Sequence, residues 1–195
     1  MIDSRSALKQ YIRQDLSAHQ VHKLSLYRYW FDDCLRFQIR LRRIEWLYNT
    51  SSKWSPRRAA CIALQIINHR LGTRLGFTIP KNVFGPGLCI VHHGTIVVSP
   101  LAKVGSNCRI HPSTSIGDYN GAPTLGDNVY IGPGAKLYGA ITIGDNVAIG
   151  ANAVVNKSFG SNVVLGGVPA SVIKTCSSLD IGVFPDTIAH PSGEL

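Results

Sequence analysis

Two adjacent histidines, His92 and His93, are the residues of this chain best suited to moving a proton. They follow the aliphatic pair Ile90 and Val91. An imidazole gains and loses a proton near neutral pH, so it can act as a general base on a hydroxyl group. Cys89 lies three residues before His92, and a cysteine beside a histidine can instead act as a nucleophile. A surface histidine without a chemical role is the simplest interpretation of a histidine seen alone.

The elements that position these histidines are set by a six-residue repeat. An aliphatic residue recurs at every sixth position, with a second small or aliphatic residue two places earlier; the main series is Leu125, Ile131, Leu137, Ile143, Ile149 and Val155. This period belongs neither to a helix nor to an ordinary strand. It is typical of a parallel β-helix, in which three hexads make one triangular coil. The sequence therefore predicts a mainly β protein with a parallel β-helix of about four coils.

The repeat continues upstream in two triplets, which are Val104, Ile110, Ile116 and an earlier, poorer one of Phe84, Ile90, Ile96. The spacing slips by two residues after Ile96 and by three after Ile116. Because both slips follow a third hexad, both extra loops are expected to leave the same edge of the prism. His92 should lie near a corner, two residues after an inward isoleucine, with its ring facing outward.

The region before the repeat is predicted to be helical. Residues 1–20 carry aliphatic residues four apart and have two possible N-caps, Asp3 and Ser4. Residues 23–48 predict a second helix, and Ser55-Pro56 should begin a third that ends at Gly72 and Gly76. The predicted organisation is a helical region over 1–75, a β-helix domain over 76–174 and a tail over 175–195. The tail has no period and is expected to be extended, either loose or along a neighbouring subunit.

Composition excludes several classes of protein. Of the 195 residues, 45% are hydrophobic and 16% charged, which favours a folded core over disorder. The sequence has neither an apolar run of 18 residues nor a signal-like N-terminus, so neither a membrane-spanning helix nor secretion is expected. Five cysteines without C-x-x-C spacing are interpreted as reduced packing residues of a cytoplasmic protein, and no metal site is predicted.

The formal net charge of +9 is concentrated in the first 75 residues, at Arg36, Arg40, Arg42, Arg43, Lys53, Arg57, Arg58, Arg70 and Arg74. A solvated helix face is the simplest explanation. An anionic substrate, or peripheral contact with the inner face of a membrane, would also exploit this charge. No nucleic acid is expected as a partner, because no binding motif or aromatic stacking platform accompanies the charge.

The hexads, the histidine segment Leu88–Val98 and the closing stretch Gly166–Ile173 together resemble the left-handed β-helix, or hexapeptide-repeat, acyltransferases. The closest likeness is to the serine acetyltransferase branch, which includes O-acetyltransferases of exopolysaccharide and capsule synthesis. The resemblance implies a homotrimer that binds acetyl-CoA between neighbouring prisms and transfers acetyl to a hydroxyl. His92 falls on the family's catalytic histidine. His93 is a supporting or acceptor-binding candidate, and Asp118 is a candidate for orienting His92.

The resemblance also implies that acetyl-CoA contacts the backbone in the turns of successive coils. By position these contacts fall at Gly117, Tyr119, Gly132, Pro133, Gly150 and Ala151. Lys157 and Lys174 are candidates to meet the CoA phosphates. All of these residues could equally be ordinary turn or surface residues.

The sequence departs from the serine acetyltransferase pattern at three places. Val91 stands where that family has an aspartate, and Phe77 or Thr78 where it has a second. Gly121 and Ala122 replace an arginine–histidine pair that binds the serine carboxylate. Because a carboxylate needs a cation, these departures predict a carbohydrate hydroxyl as acceptor, on a polysaccharide, glycolipid or sugar. The alternatives are a serine O-acetyltransferase and a non-catalytic trimeric scaffold.

Overall fold

A computed structural model describes residues 1–189. Four helices come first, and they are α1 (Arg5–Ala18), α2 (Leu26–Phe31), α3 (Asp33–Thr50) and α4 (Pro56–Leu75). A series of short strands follows, and the described chain closes with a 3-10 turn (Ser178–Ile181) and a short helix, α5 (Asp186–Ala189).

Side-chain caps decide where the helices begin. Ser4 accepts a hydrogen bond from the amide of Ala7 at 3.1 Å, and Ser55 accepts one from the amide of Arg58 at 3.2 Å, as predicted for α1 and α4. The single helix predicted over 23–48 is wrong, because Asp32 has an extended backbone and caps the amide of Leu35. The chain therefore makes two helices, α2 and α3, around Asp32.

The strands are short and follow the hexads. In chain order they are β1 (Phe77–Thr78), β2 (Cys89–Ile90), β3 (Ile96–Val98), β4 (Lys103–Val104), β5 (Arg109–Ile110), β6 (Thr114–Gly117), β7 (Thr124–Leu125), β8 (Tyr130–Ile131), β9 (Lys136–Tyr138), β10 (Thr142–Ile143), β11 (Ala148–Ile149), β12 (Val154–Val155), β13 (Val163–Gly166) and β14 (Ser171–Thr175).

These strands stack into the three faces of a prism. Sheet A has the order β1-β3-β6-β9-β12, sheet B the order β4-β7-β10, and sheet C the order β2-β5-β8-β11-β13-β14. All pairs are parallel except the last, in which β14 returns antiparallel to β13. Four turns of the chain separate the first and last strands of sheet A, so the predicted β-helix of about four coils is confirmed.

The two slips in the repeat lie at different corners, so the prediction that they share one edge is wrong. Ile90 pairs with Ile110 in sheet C, whereas Val98 pairs with Ile116 in sheet A. The two extra residues therefore fall between Ile90 and Val98, in the turn that carries the histidines. Ile96 pairs with Thr114, so it occupies the second inward position of its hexad. The three extra residues after Ile116 leave the prism one corner later, after sheet A.

An asparagine ladder supports the corner between sheets B and C. The side-chain amides of Asn107, Asn128 and Asn146 each donate to the asparagine of the next coil, at 2.9, 2.8 and 3.0 Å, and the ladder ends at Asn162. All four residues have positive φ, between 55° and 58°. Asparagine tolerates this left-handed conformation better than most residues, so the ladder holds the turn without requiring glycine.

A buried ion cluster joins the helical region to the first coil. The guanidinium of Arg42 on α3 pairs with Asp15 of α1 at 2.8 Å and with Glu45 at 3.0 Å, and it donates to the carbonyl oxygens of Phe84 and Gly85. The Asp15 carboxylate also accepts from the amides of Gly87 and Leu88. The carboxylates raise the pKa of Arg42 against the opposing effect of burial. Helices and prism are therefore held in one fixed arrangement.

The tail is folded where it is described, so the expectation of an extended segment is wrong for residues up to 189. The hydroxyl of Ser178 donates to the carbonyl of Asn128 at 2.6 Å, and its amide donates to the carbonyl of Asn146 at 3.0 Å. The tail thus lies along the chain's own asparagine ladder. Residues 190–195, which the prediction also covered, lie outside the described residues.

Within residues 1–189, no helix is long and apolar enough to cross a membrane. The same residues hold no group of three histidine, cysteine or acidic side chains placed to bind a metal ion.

Candidate active site

The two histidines follow β2 at the corner where the chain turns from sheet C to sheet A, here called the histidine corner (residues 91–94 and their equivalents in later coils). Both rings are exposed, and both line a cavity of about 640 Å³ between this corner and the helical region. The cavity is also lined by Arg28, Arg74, Asp32, Asp33 and His19. It thus brings two histidines together with cations and carboxylates that lie far away in the sequence.

Backbone contacts fix the turn that carries His92 and His93. The amide of Val91 donates to the carbonyl of Ile110 at 3.1 Å, and the amide of Gly94 donates to the carbonyl of Leu75 at 2.9 Å. Gly94 has φ +137°, and a Cβ added there would lie 2.9 Å from the Cβ of Pro112. Glycine is therefore needed at this turn, which lies against the next coil on one side and the end of α4 on the other.

His111 is a third histidine of this corner, and the sequence analysis did not identify it. It follows β5 as Val91 follows β2, one coil further along, and its ring packs against Tyr130 with centroids 5.1 Å apart. Its Nε2 is buried without a hydrogen-bond partner among the described residues. Burial, then the charges of Arg109 and His92, lower the pKa of His111. The hexad spacing could have identified it, because His111 follows Ile110 as Val91 follows Ile90.

The structure disfavours Cys89 as a nucleophile. The thiol is buried beneath the helices, and burial raises the pKa of Cys89 to about 11 despite the nearby Arg109. A thiolate is the reactive form of cysteine, so Cys89 stays a neutral thiol at neutral pH. His92 and His93 are the exposed histidines of this cavity and remain the candidates for proton transfer.

Part of the predicted acetyl-CoA set shares the histidine corner. Gly132 follows β8 and Gly150 follows β11, and their coils are joined by a hydrogen bond from the amide of Gly132 to the carbonyl of Ile149 at 2.8 Å. A Cβ on Gly132 would lie 2.8 Å from the same carbonyl oxygen. Pro133 and Ala151 come next in the two turns, and the carbonyl of Pro133 accepts from the amide of Asn152 at 2.9 Å. These four residues form a column above His92.

The remaining predicted residues lie elsewhere on the subunit. Gly117, Asp118 and Tyr119 follow β6 at the next corner, between sheets A and B, here called the loop corner (residues 117–123 and their equivalents). Lys157 follows β12 at the same corner, with its Nζ 5.5 Å from the centroid of Phe159. Lys174 is exposed on β14. Within one subunit, Gly117, Asp118 and Tyr119 therefore lie at a different corner from His92.

The positions that departed from the family pattern provide no carboxylate or cation to His92 within the subunit. Phe77 is buried against Phe37, with ring centroids 5.2 Å apart, and Thr78 is exposed on β1. Gly121 and Ala122 lie at the loop corner, where a Cβ on Gly121 would approach that of Ala140 to 2.7 Å. Whatever orients His92 or binds an acceptor charge in this subunit comes from other residues.

Comparison with known proteins places the repeat in a described family. Residues 122–157 match the family described as bacterial transferase hexapeptide (six repeats). The serine acetyltransferase of Mycobacterium tuberculosis is 39% identical over 99 residues, which cover 48% of this chain and 43% of that protein. The serine acetyltransferase of Synechococcus elongatus is 33% identical over 159 residues, which cover 76% of this chain and 62% of that protein. Less than two thirds of the length of either relative is covered.

The crystal structure of a serine acetyltransferase from Brucella abortus strain S19 superimposes with a TM-score of 0.68 at 28% identity, covering 87% of this chain and 69% of that chain. The chain has the hexapeptide-repeat β-helix fold and is similar to proteins of the serine acetyltransferase type. The fold class predicted from the hexads is thereby confirmed.

The prediction of a carbohydrate acceptor, and with it a role in polysaccharide synthesis, is wrong. The similar proteins and the solved structure are named serine acetyltransferase. The prediction took the absence of an arginine–histidine pair at Gly121 and Ala122 as the absence of an amino acid site. It did not allow for cations from another element, and the cavity of His92 contains two, Arg28 and Arg74.

Proposed function

We propose that this chain is an acetyl-CoA-dependent O-acetyltransferase whose acceptor is the hydroxyl group of serine. The observation that carries the proposal is the cavity at the histidine corner, where His92 and His93 face solvent beside both positive and negative side chains. The similarity to serine acetyltransferases supports the choice of acceptor. Acetyl-CoA is a co-substrate, consumed in each turnover.

In the proposed reaction His92 acts as a general base. Its free ring nitrogen takes the proton of the acceptor hydroxyl while the hydroxyl oxygen attacks the thioester carbonyl. The carbon–sulfur bond then breaks, and the imidazolium returns the proton to the departing CoA sulfur. The products are the acetyl ester and free CoA, and the imidazole is regenerated. His93 is proposed as a supporting or acceptor-binding group.

The proposal places acetyl-CoA along the column of turns above His92, at Gly132, Pro133, Gly150 and Ala151. A Cβ would lie 2.8 Å from a backbone oxygen at Gly132 and 3.1 Å from one at Gly150, so glycine leaves the backbone of both turns open, which suits a ligand held against it. Gly117, Tyr119 and Lys157 lie at the loop corner, so they would reach the same ligand from a neighbouring subunit. A homotrimer is accordingly part of the proposal, while a phosphate contact at Lys174 rests on sequence position alone.

The location of the protein stays a prediction. A cytoplasmic enzyme at the inner face of a membrane would be consistent with the exposed apolar side chains of α2, which are Leu26, Tyr27, Trp30 and Phe31, beside the basic Arg28. Aromatic and basic groups together favour peripheral contact with an anionic surface.

Release of free CoA from acetyl-CoA in the presence of L-serine tests the proposed function, with the acetylated product identified by mass spectrometry. The expected result is serine-dependent CoA release and a product heavier than serine by one acetyl group. Release that required a glycan, or no release with any acceptor, would contradict the proposal.

A further inference from the structure

The acceptor of the proposed reaction needs a cation. Free serine carries a carboxylate and an ammonium group beside its hydroxyl, and a carboxylate removed from water requires charge-assisted hydrogen bonds. The positions predicted for this role, Gly121 and Ala122, have no charged side chain and lie at the loop corner. We propose that Arg74 pairs with the acceptor carboxylate in the cavity of His92, an assignment that rests on the proposed function.

Arg74 and Arg28 are the two guanidinium groups that line this cavity. Among residues 1–189, neither guanidinium has a hydrogen-bond or ion-pair partner, whereas Arg36 pairs with Asp33 and Arg42 with two carboxylates. An arginine without an internal partner can present its planar fork to a carboxylate with two parallel hydrogen bonds. The cavity thus contains two guanidinium groups whose N–H donors are free to bind a ligand.

The position of Arg74 relative to the histidines is fixed by the backbone. Arg74 is in the last turn of α4, and Leu75 accepts a hydrogen bond from the amide of Gly94 at 2.9 Å. Gly76 accepts another from the amide of Ile96, also at 2.9 Å. Arg74 is thus the residue before Leu75, and Leu75 is hydrogen-bonded to Gly94, two residues after His92. Arg28 and Arg74 are both exposed, but Arg28 is on the six-residue helix α2, which has no backbone hydrogen bond to the histidine turn among the described residues. We therefore assign the carboxylate to Arg74.

The cavity also matches the positive end of an amino acid. Asp32 lines it, and the Oδ1 of Asp32 accepts from the amide of Leu35 while Oδ2 has no partner among the described residues. The neighbouring Asp33 is already paired with Arg36. Arg74 and Asp32 together offer complementary charges to a zwitterion, whereas a neutral sugar would pair with neither charge.

The test compares Arg74→Gln with a matched control, Arg70→Gln, by steady-state kinetics of the full-length protein. Arg70 is exposed one turn earlier on α4 and does not line the cavity. Loss of a charge-assisted pair should raise the KM for L-serine by about 10- to 100-fold and leave the KM for acetyl-CoA unchanged. Arg74→Lys should recover part of the loss. Arg70→Gln should behave as the wild type, and circular dichroism should show that both variants are folded.

Serinamide, which lacks the carboxylate, distinguishes carboxylate binding by Arg74 from a purely structural role. A structural role would not change the preference for serine over serinamide. The wild type should prefer serine to serinamide in kcat/KM, and Arg74→Gln should use the two about equally. A variant that keeps the wild-type KM and preference would overturn the assignment of Arg74, as would an equal effect of Arg70→Gln. If the wild type itself releases no CoA with serine, the proposed function fails, and the assignment fails with it.

Discussion

At the scale of single residues, the histidines around the cavity differ in their exposure to water. His92 and His93 are exposed, whereas His19 is half-buried and its Nε2 lies 3.1 Å from Oε1 of Gln38. Burial lowers the pKa of His19, against the raising effects of Gln38, Asp32 and Asp15. His19 is therefore a neutral, hydrogen-bonded part of the wall near neutral pH, and the exposed pair is accessible to substrate.

The lowered pKa of His19 predicts a pH-dependent loss of stability. Since the unfolded chain binds this proton more readily than the folded one, the contribution of His19 is complete above its unfolded pKa and is lost as the pH falls below about 6.5 towards the folded value. Urea unfolding at about pH 7.5 and about pH 5.5 should show a smaller loss of unfolding free energy in His19→Asn than in the wild type. His22→Asn, an exposed control, should follow the wild type. Equal losses in all three proteins would contradict this account.

Residue roles could be predicted from the sequence only where a local motif carries them. The segment around His92 is contiguous, so its resemblance to a family motif located the candidate base. Arg74, Asp32 and His111 reach the same corner from α4, the start of α3 and the next coil. Nothing in the spacing of these residues indicates that proximity, because it depends on how the helices pack against the prism.

At the scale of elements, the hexads determined the sheets but not the position of the inserted residues. Both Ile96 and Val98 are aliphatic and buried, because each hexad has two inward positions two residues apart. A two-residue insertion can therefore be placed on either side of Ile96 without disturbing the apolar pattern. Only the strand pairing shows that the insertion lies in the turn that carries His92 and His93.

This inserted turn makes Gly94 a sensitive position. Gly94→Ala would put a Cβ 2.9 Å from Pro112 on a backbone with φ +137°, so the turn must shift. Misplacement of a catalytic group by about 1 Å costs on the order of 100-fold in rate, and a loss of kcat of at least about tenfold is expected from a partial shift. Steady-state CoA release measures it.

Gly160→Ala is the matched control, because no atom lies within 4 Å of a Cβ at Gly160 and its φ is not positive. This variant should keep the wild-type kcat. Full activity of Gly94→Ala, with unchanged thermal stability, would show that the turn does not position the reacting groups.

The Arg42 cluster is the element-scale connection between helices and prism. Arg42→Met would leave the buried carboxylates of Asp15 and Glu45 unpaired, which costs about 3–5 kcal/mol of unfolding free energy. Arg43→Met, next to it but exposed, removes only a contact with the ring of Tyr29 and should cost less than about 1 kcal/mol. Denaturant unfolding measures both. Similar losses for the two variants would refute a special role for the buried cluster.

At the scale of the whole molecule, the predicted acetyl-CoA residues divide between two corners of the prism. His92, Gly132 and Gly150 share the histidine corner, whereas Tyr119 and Lys157 share the loop corner. In a closed trimer whose head-to-tail contact joined these two corners, the histidine corner of one subunit would face the loop corner of the next. The resemblance predicted acetyl-CoA between neighbouring prisms, and this division of residues is the arrangement that such a site requires.

Mixed trimers test whether the site is shared. Lys157→Glu and His92→Ala should each be inactive or strongly impaired alone. When the two variants are co-expressed, about one quarter of the sites in random trimers would combine an intact histidine corner with an intact loop corner from the neighbour. Recovery of CoA release towards that fraction is the expected result. No recovery would mean that each subunit uses its own two corners, and full activity of Lys157→Glu alone would remove Lys157 from the site.

The measurement that tests the central claim most directly is serine-dependent CoA release by the wild type, His92→Ala and His93→Ala. The account predicts that His92→Ala loses about 10²- to 10⁴-fold in kcat, the size of general-base assistance, with its fold and its affinity for acetyl-CoA unchanged. His93→Ala, as a supporting group, should lose less. Wild-type turnover by a folded His92→Ala protein would contradict His92 as the base of this reaction.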